Sequence, residues 1–347
     1  MAIHYFEWVT APGLEGRQIR MKSSGFKIGR FCGNNAGNET SSKTLSKLQH
    51  LLSVSQNKIM CDNPLQQRRA TLMNNVSDNS VRKLYIDLAK KCILDSLYGE
   101  FEYKPIRKGG KVFTLVNKYL HWRGMAPCER KRVQDDARYE GRDWPARALS
   151  MIGIKRLDNL QACLQQAMEE GVPGDLIETG VWRGGSTILM KAILKAYGDT
   201  TRTVWVADSF EGLPRPDADL YPADAKDELY TFQELAVSME EVVENFRRFG
   251  VLDENVKFLK GWFKNTLQSA PIEQLAMMRL DGDMYESTMD ALVALYPRLS
   301  PGGFVIVDDY GCIKACEQAV HDYRKRYNIQ DEIVPIDWSG VYWRKSP

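Results

Sequence analysis

The stretch "GDLIETGVWRGGSTILMKAILKAYG", residues 174–198, decides the fold class. It opens with a short apolar run that ends in an acid, Glu178, and a glycine, Gly180. Gly184 and Gly185 then allow a tight turn and close backbone approach, and "GSTILMKAILKAYG" (185–198) has the apolar spacing of a helix. Strand, glycine turn and helix form the first part of a βαβ unit, and the pattern repeats toward the C-terminus. "TRTVWVADS" (201–209), "NVKFLKG" (255–261), the end of "IEQLAMMRLDGD" (272–283) and "GGFVIVDDYG" (302–311) read as strands. "SMEEVVENFRRFG" (238–250), "ESTMDALVALYPRLS" (286–300) and "CIKACEQAVHDYRKRYN" (312–328) read as helices, with a short helix expected at the start of 272–283. This alternation predicts an α/β fold with a mostly parallel sheet covered on both faces. "DEIVPIDWSGVYWRK" (331–345) adds strand-like patterns and predicts an antiparallel edge. Ligands of open α/β sheets bind outside the carboxyl ends of the strands. The residues just after each strand therefore carry the functional reading.

The 347 residues, 44% of them hydrophobic, can bury a sizeable core. A formal net charge of +2 leaves no electrostatic footprint for nucleic acid or a membrane surface. No apolar run reaches the ~18 residues of a membrane span. "MAIHYFEWVTAPG" (1–13) lacks the basic and apolar regions of a signal peptide. The seven cysteines, at 32, 61, 92, 128, 163, 312 and 316, form no CxxC pair, which predicts reduced thiols in the cytoplasm.

Three regions are expected. Residues 1–80 form an N-terminal extension of unknown role, partly flexible, with Gly/Asn/Ser-rich chain over 23–43 and one short amphipathic helix over 43–60. Residues 81–172 form a helical, substrate-side lid region. There Leu84, Leu88, Cys92 and Asp95 fall on one helical line, with Ile93 and Leu97 beside it, in a pattern ended by Gly99; Pro145 suits a helix start, and 157–171 is an amphipathic helix. Residues 173–347 form the catalytic domain, which binds the cofactor that its strand ends point to, S-adenosylmethionine.

The strand ends supply the chemistry. The spacing E-x-G-x-x-x-G-G from Glu178 to Gly185 is not the G-x-G-x-x-G of nicotinamide enzymes. An acid at the first strand end repels a pyrophosphate and suits an ammonium or sulfonium centre, which favours S-adenosylmethionine over NAD. Asp208, at the second strand end, suits ribose hydroxyls, or else organises the turn in "DSFEG". Asp281 and Asp283 end one strand and Asp308 and Asp309 another. Several anions brought together need a cation between them, and carboxylates with water suit Mg²⁺; the competing reading is that some of these acids cap the following helices. A divalent ion beside a methyl donor implies oxygen methylation, in which it chelates two neighbouring substrate oxygens and lowers the pKa of one hydroxyl. Asp281, next to Gly282, is the candidate to take the proton. Asp283 is expected to order the turn or cap the following helix, outside the metal shell.

The segments "GRDWPARALSMIG", "RLDNLQ", "GVPGDLIETGVWRGGST", "VADSFEGLP", "LAVSMEEVVENFRRFGVLDENVKFLKGWFKNTL" and "RLDGDMYESTMDALVALYPRLSPGGFVIVDDYG" together resemble the macrocin O-methyltransferase (TylF-like) family, from about residue 82 to the end. The resemblance implies a class I methyltransferase (Rossmann-like) fold, S-adenosylmethionine, Mg²⁺ and, as acceptor, a hydroxyl of a deoxysugar or vicinal diol on a natural product. By motif match the metal falls on Asp281, Asp308 and Asp309, with Asp281 as general base. The donor falls on Glu178, Gly180, Val181, Trp182, Ser186, Asp208 and Ser209, with Ser150 and Met151 nearby and Gly261, Trp262 and Phe263 on the adenine side. Residues 139–145 resemble the family's mobile lid, so Tyr139 and Trp144, with Tyr285 and Tyr310, are the candidates to face the acceptor. The resemblance also implies a homo-oligomer, dimer or larger. Two positions depart from the family pattern: Leu149 stands where His is common, and Asn265 where Asp is common. Two alternatives are an assembly-line module acting on a carrier-bound acyl chain and a non-catalytic adenosine-binding scaffold.

Overall fold

The structure is a computed structural model that describes residues 64–97, 101–106, 109–133 and 135–346. The expectations for 1–63 lie outside the described residues. Thr71–Pro347 forms one compact unit.

Seven strands form one sheet: β3 (Asp175–Thr179), β4 (Val204–Asp208), β5 (Val256–Lys260), β6 (Leu275–Leu280), β7 (Leu299–Val307), β8 (Val334–Pro335) and β9 (Val341–Arg344), in the order β5-β4-β3-β6-β7-β9-β8. The pairs from β5 to β7 are parallel, and β9 runs antiparallel to both β7 and β8. The order reverses between β3 and β6, which opens a crevice at their carboxyl ends. The predicted fold class and antiparallel edge are what the structure shows.

Strand periodicity sorts the side chains onto two faces. Leu176, Val204, Val206, Met277, Phe304 and Ile306 join one core with α4 (Gly153–Glu169), α5 (Gly185–Tyr197) and α6 (Met239–Arg248). Ile177, Trp205, Ala207, Met278, Val305 and Val307 join the other with α8 (Tyr285–Leu295) and α9 (Lys314–Arg326). Helix α6 begins at Ser238, whose side chain accepts from the Glu241 N–H at 3.2 Å. Ser238→Ala is expected to cost about 1 kcal/mol, the usual value of an N-cap, read as a shift of the urea midpoint; an unchanged midpoint would show that the cap contributes nothing.

Before the sheet come α1 (Pro64–Ile93), β1 (Phe101–Pro105), α2 (Lys111–Trp122), β2 (Cys128–Arg132) and α3 (Asp135–Tyr139). Helix α1 ends at Ile93, short of Gly99, with Asp95 in the left-handed region. Its packed face is Ile86, Ala89 and Ile93, while Leu84 and Leu88 stay exposed. Of the expected line Cys92 is exposed as well, and only its neighbour Ile93 packs; Lys90 is buried beside the core and paired with Asp158. No helix starts at Pro145, and the short helix expected near 272 is instead α7 (Phe263–Thr266). The pairing of β1 with β2 had no counterpart in the sequence reading. Among the described residues the five cysteines are free, and no helix is long and apolar enough to cross a membrane.

Candidate active site

A cavity of about 350 Å³ opens over the carboxyl ends of β3, β4, β6 and β7, roofed by residues 141–144 and 149–152. Its deepest acid is Glu178, which is 1% exposed. Ser186, on the first turn of α5, donates its hydroxyl to Glu178 Oε1, and Arg279 of β6 places a guanidinium nitrogen on the same oxygen. Oε2 is buried and has no partner within the protein. Burial pushes the Glu178 carboxyl up to about 7, against the pull of the Arg279 charge and the Ser186 hydroxyl. An unsatisfied buried carboxylate oxygen is costly, and a ligand ammonium is a fitting partner for it.

The loops after β3 and β4 are tied together by Asp208. Its Oδ2 accepts from the N–H of Val181 at 2.7 Å and of Trp182 at 3.4 Å, and its Oδ1 accepts from Phe210 N–H at 2.7 Å. Asp208 thus organises the turn, and it also lines the cavity, where lone pairs remain for a ligand. Trp182, Phe210 and Asp283, one in each of three strand-end loops, hold positive φ angles of 48°, 58° and 59°. Residues other than glycine in this region mark strain, here gathered around one cavity. The α5 N-terminus is less open than its sequence suggests, because the Gly185 N–H is already bonded to the Leu149 carbonyl at 3.0 Å.

At the ends of β6 and β7 the acids divide into two sets. Asp281, Asp283 and Asp309 each offer an oxygen, and these three atoms lie within 4.8 Å of one another. The Asp283 N–H also donates to Asp309 Oδ2 at 3.3 Å. Asp308 turns away from this trio. One oxygen meets Arg279 and the other meets Arg156 of α4. Burial and the charge of Asp308 push Asp281 up to about 6, while Arg279, 2.8 Å from its Oδ2, pulls it down. Burial raises Asp283 well above the usual carboxylate range, and the charges of Asp281 and Asp308 add to this. Asp309 is raised well above that range too, by burial and then by Asp283 and Asp281. Carboxylates crowded in this way hold either protons or a cation, and an all-oxygen donor set suits a hard divalent ion.

Most of the predicted donor residues come together. Glu178, Gly180, Val181, Trp182, Ser186, Asp208, Ser209, Ser150, Met151, Trp262 and Phe263 line the cavity. Gly261 does not line it; its N–H bonds the Asp208 carbonyl at 2.9 Å. Of the four aromatic candidates for the acceptor, only Trp144 lines the cavity, with its ring 5.4 Å from that of Phe232. The structure does not bring the other three there. Tyr285 turns to Asp322 and to the ring of Tyr221, Tyr310 bonds His321, and Tyr139 is 57% exposed. Leu149 lines the cavity and Asn265 does not. Sequence reading missed Arg156, Trp338 and Ser339, which also line it. Arg279 had a signal: a lone charge inside the apolar run "LAMMRL".

A sequence model for Macrocin-O-methyltransferase (TylF) matches residues 82–345, more than half of the chain. The chain belongs to this family. It is accordingly an S-adenosylmethionine-dependent O-methyltransferase. It is 56% identical over 267 residues to the mycinamicin III 3''-O-methyltransferase of Micromonospora griseorubida, across 76% of this chain and 97% of that protein. It is 51% identical over 264 residues to the 8-demethyl-8-(2,3-dimethoxy-alpha-L-rhamnosyl)-tetracenomycin-C 4'-O-methyltransferase of Streptomyces olivaceus, across 76% of this chain and 93% of that protein. Among solved structures it is similar to the O-methyltransferase NovP, with a TM-score of 0.67 and 46% identity over 77% of this chain and all of that one. The TylF match begins inside α1 and takes in the whole sheet and cavity.

Proposed function

We propose that this TylF-family enzyme methylates a sugar hydroxyl of a glycosylated natural product, and that a divalent cation of the Mg²⁺ type is held at the ends of β6 and β7. The observation that carries the cation is the convergence of Asp281, Asp283 and Asp309 on one point at the cavity wall. The rhamnosyl acceptor in the name of a relative that is 51% identical supports the sugar, and the 3''-O-methylation of mycinamicin III by one that is 56% identical supports the natural-product oxygen.

The chain's own residues have distinct tasks in this reading. Glu178 Oε2 receives the donor's ammonium, Asp208 the ribose hydroxyls, and Trp262 and Phe263 flank the adenine. When bound, the cation supplies Lewis acidity that lowers the pKa of the acceptor hydroxyl and fixes its orientation. Asp281, its side chain 26% exposed at the cavity wall, takes the proton from that hydroxyl as the acceptor oxygen attacks the donor's methyl carbon, the methyl–sulfur bond breaks and S-adenosylhomocysteine leaves. Asp281 and Asp309 belong both to the expected ligand set and to the trio whose oxygens converge. Asp283 is the third by position, and Asp308 becomes the third only by leaving one of its arginines. Trp144, beside the cavity roof, faces the acceptor.

The test is incubation with labelled methyl donor, Mg²⁺ and a panel of rhamnosides, related glycosides, catechols and carrier-bound acyl chains. Transfer to a glycoside that stops with EDTA and returns with Mg²⁺ is expected. Transfer undisturbed by EDTA removes the cation, and transfer to the carrier-bound chains alone removes the sugar. A homo-oligomer belongs to the same reading. Val112, Leu115, Val116, Tyr119 and Trp122 expose an apolar face of α2, on which the described residues bury no α2 side chain. Light scattering that returns the monomer mass would overturn it.

A further inference from the structure

Strand register explains why one arginine meets three acids. Glu178 on β3 is the register partner of Arg279 on β6, and Arg279 is in turn the partner of Ile306 on β7. Side chains of register partners share a face, and so do residues two apart along a strand. Glu178, Arg279, Asp281 and Asp308 therefore lie on the same side of the sheet. The Arg279 side chain is 1% exposed. Its Nη1 meets both Glu178 and Asp281, and its Nη2 meets Asp308. A planar guanidinium can span two neighbouring strands in this way, and a lysine ammonium cannot. Arg156 takes the second oxygen of Asp308, and its remaining bonds go to Asp337 at 3.0 Å and the Gly141 carbonyl at 3.3 Å. Among the described residues, Arg279 alone is ion-paired both to the donor-side acid and to acids at the ends of β6 and β7.

We propose that Arg279 is a positioning residue through which the donor site and the cation site act on each other. The inference rests on the cation reading above. A dication that draws on Asp281 leaves Nη1 of Arg279 to Glu178, while Nη2 stays on Asp308, and this fixes the Glu178 carboxylate with its Oε2 free for the donor. Cation binding then tightens donor binding, and linkage requires the donor to tighten the cation by the same factor.

The test uses the full chain without acceptor. Mn²⁺ binding is read by electron paramagnetic resonance with and without S-adenosylmethionine, and S-adenosylmethionine binding by calorimetry with and without saturating Mn²⁺. The wild-type enzyme is expected to show the same change, about fivefold or more, in both directions. In Arg279→Gln the factor is expected to fall to within about twofold of unity while Mn²⁺ still binds; a purely structural loss would weaken both ligands together. Arg279→Lys, which keeps the charge, is expected to retain the fold and give an intermediate factor. If Mn²⁺ does not bind the wild type, the cation reading falls and this inference with it. If Mn²⁺ binds but the two affinities are independent, or the factor persists in Arg279→Gln, the role of Arg279 alone is overturned.

Discussion

Asp281→Asn is expected to lower kcat by about 10³-fold, with S-adenosylmethionine binding, measured without added cation, held within about threefold of wild type. The substitution keeps the size of the side chain and one acceptor oxygen. It removes the charge that the proposed cation and the acceptor proton both need. The donor side is spared because Glu178 and Asp208 reach their partners without Asp281: Glu178 bonds Ser186 and Arg279, and Asp208 bonds Val181, Trp182 and Phe210. Steady-state kinetics beside calorimetry of the donor separate the two effects. Turnover within tenfold of wild type would remove Asp281 as both base and ligand, and loss of donor binding would show that it holds the donor pocket together.

The second large effect is on the fold. Gly180 has φ +83°, and a Cβ there would lie 1.7 Å from the carbonyl oxygen of Asp281. Both partners are backbone, fixed by adjacent parallel strands: the Gly180 N–H bonds Ala207 and the Asp281 N–H bonds Thr179, each at 2.9 Å. No side chain can move aside to relieve the overlap. Gly180→Ala is expected to cost more than about 4 kcal/mol and to lower Tm by roughly 10 °C or more, or to prevent soluble expression. Gly198→Ala provides the control. Gly198 also has a positive φ, +72°, but its Cβ would meet nothing within 4 Å. It carries only the left-handed penalty of about 1–2 kcal/mol. Equal Tm values for the two variants would refute the steric account.

The sheet was legible because each central strand is apolar on both faces and bounded by glycine or acid, as in "LIETG" and "FVIVDD". The strand-end acids were legible for the same reason, since a charge closing a buried run stands out. Their division was not. Asp308 and Asp309 are neighbours in sequence, yet one turns to two arginines and the other to the trio with Asp281 and Asp283. Arg156 lies 152 residues before Asp308 in the chain, and nothing in "IKRLDNL" marks it as a partner. Asp283, expected to stay outside the cluster as a turn or cap residue, does both: it holds φ 59° in the turn and stands in the trio. Tyr285 and Tyr310 are sequence candidates for the acceptor, and the structure takes both away from the cavity. Tyr285 opens α8 and Tyr310 lies in the turn before α9, and each ring packs on a neighbour outside the cavity, Tyr221 for Tyr285 and His321 for Tyr310.

The hairpin of β8 and β9 has a consequence for biosynthesis. Its loop supplies Asp337 to Arg156, the Ser339 hydroxyl to the Asp308 carbonyl at 2.6 Å and the Ser339 carbonyl to the Gly311 N–H at 2.7 Å, while β9 pairs along β7. The acids ending β6 and β7 are thus braced by residues translated after nearly all the rest of the described chain. Domains fold as units while the ribosome works from the N-terminus. A nascent chain arrested at residue 330 would have five of the seven strands in hand but not the hairpin that steadies the catalytic edge. Competence for methyl transfer would then wait until the hairpin has left the ribosome, and a chain cut before it would hold five strands without the brace on their acids.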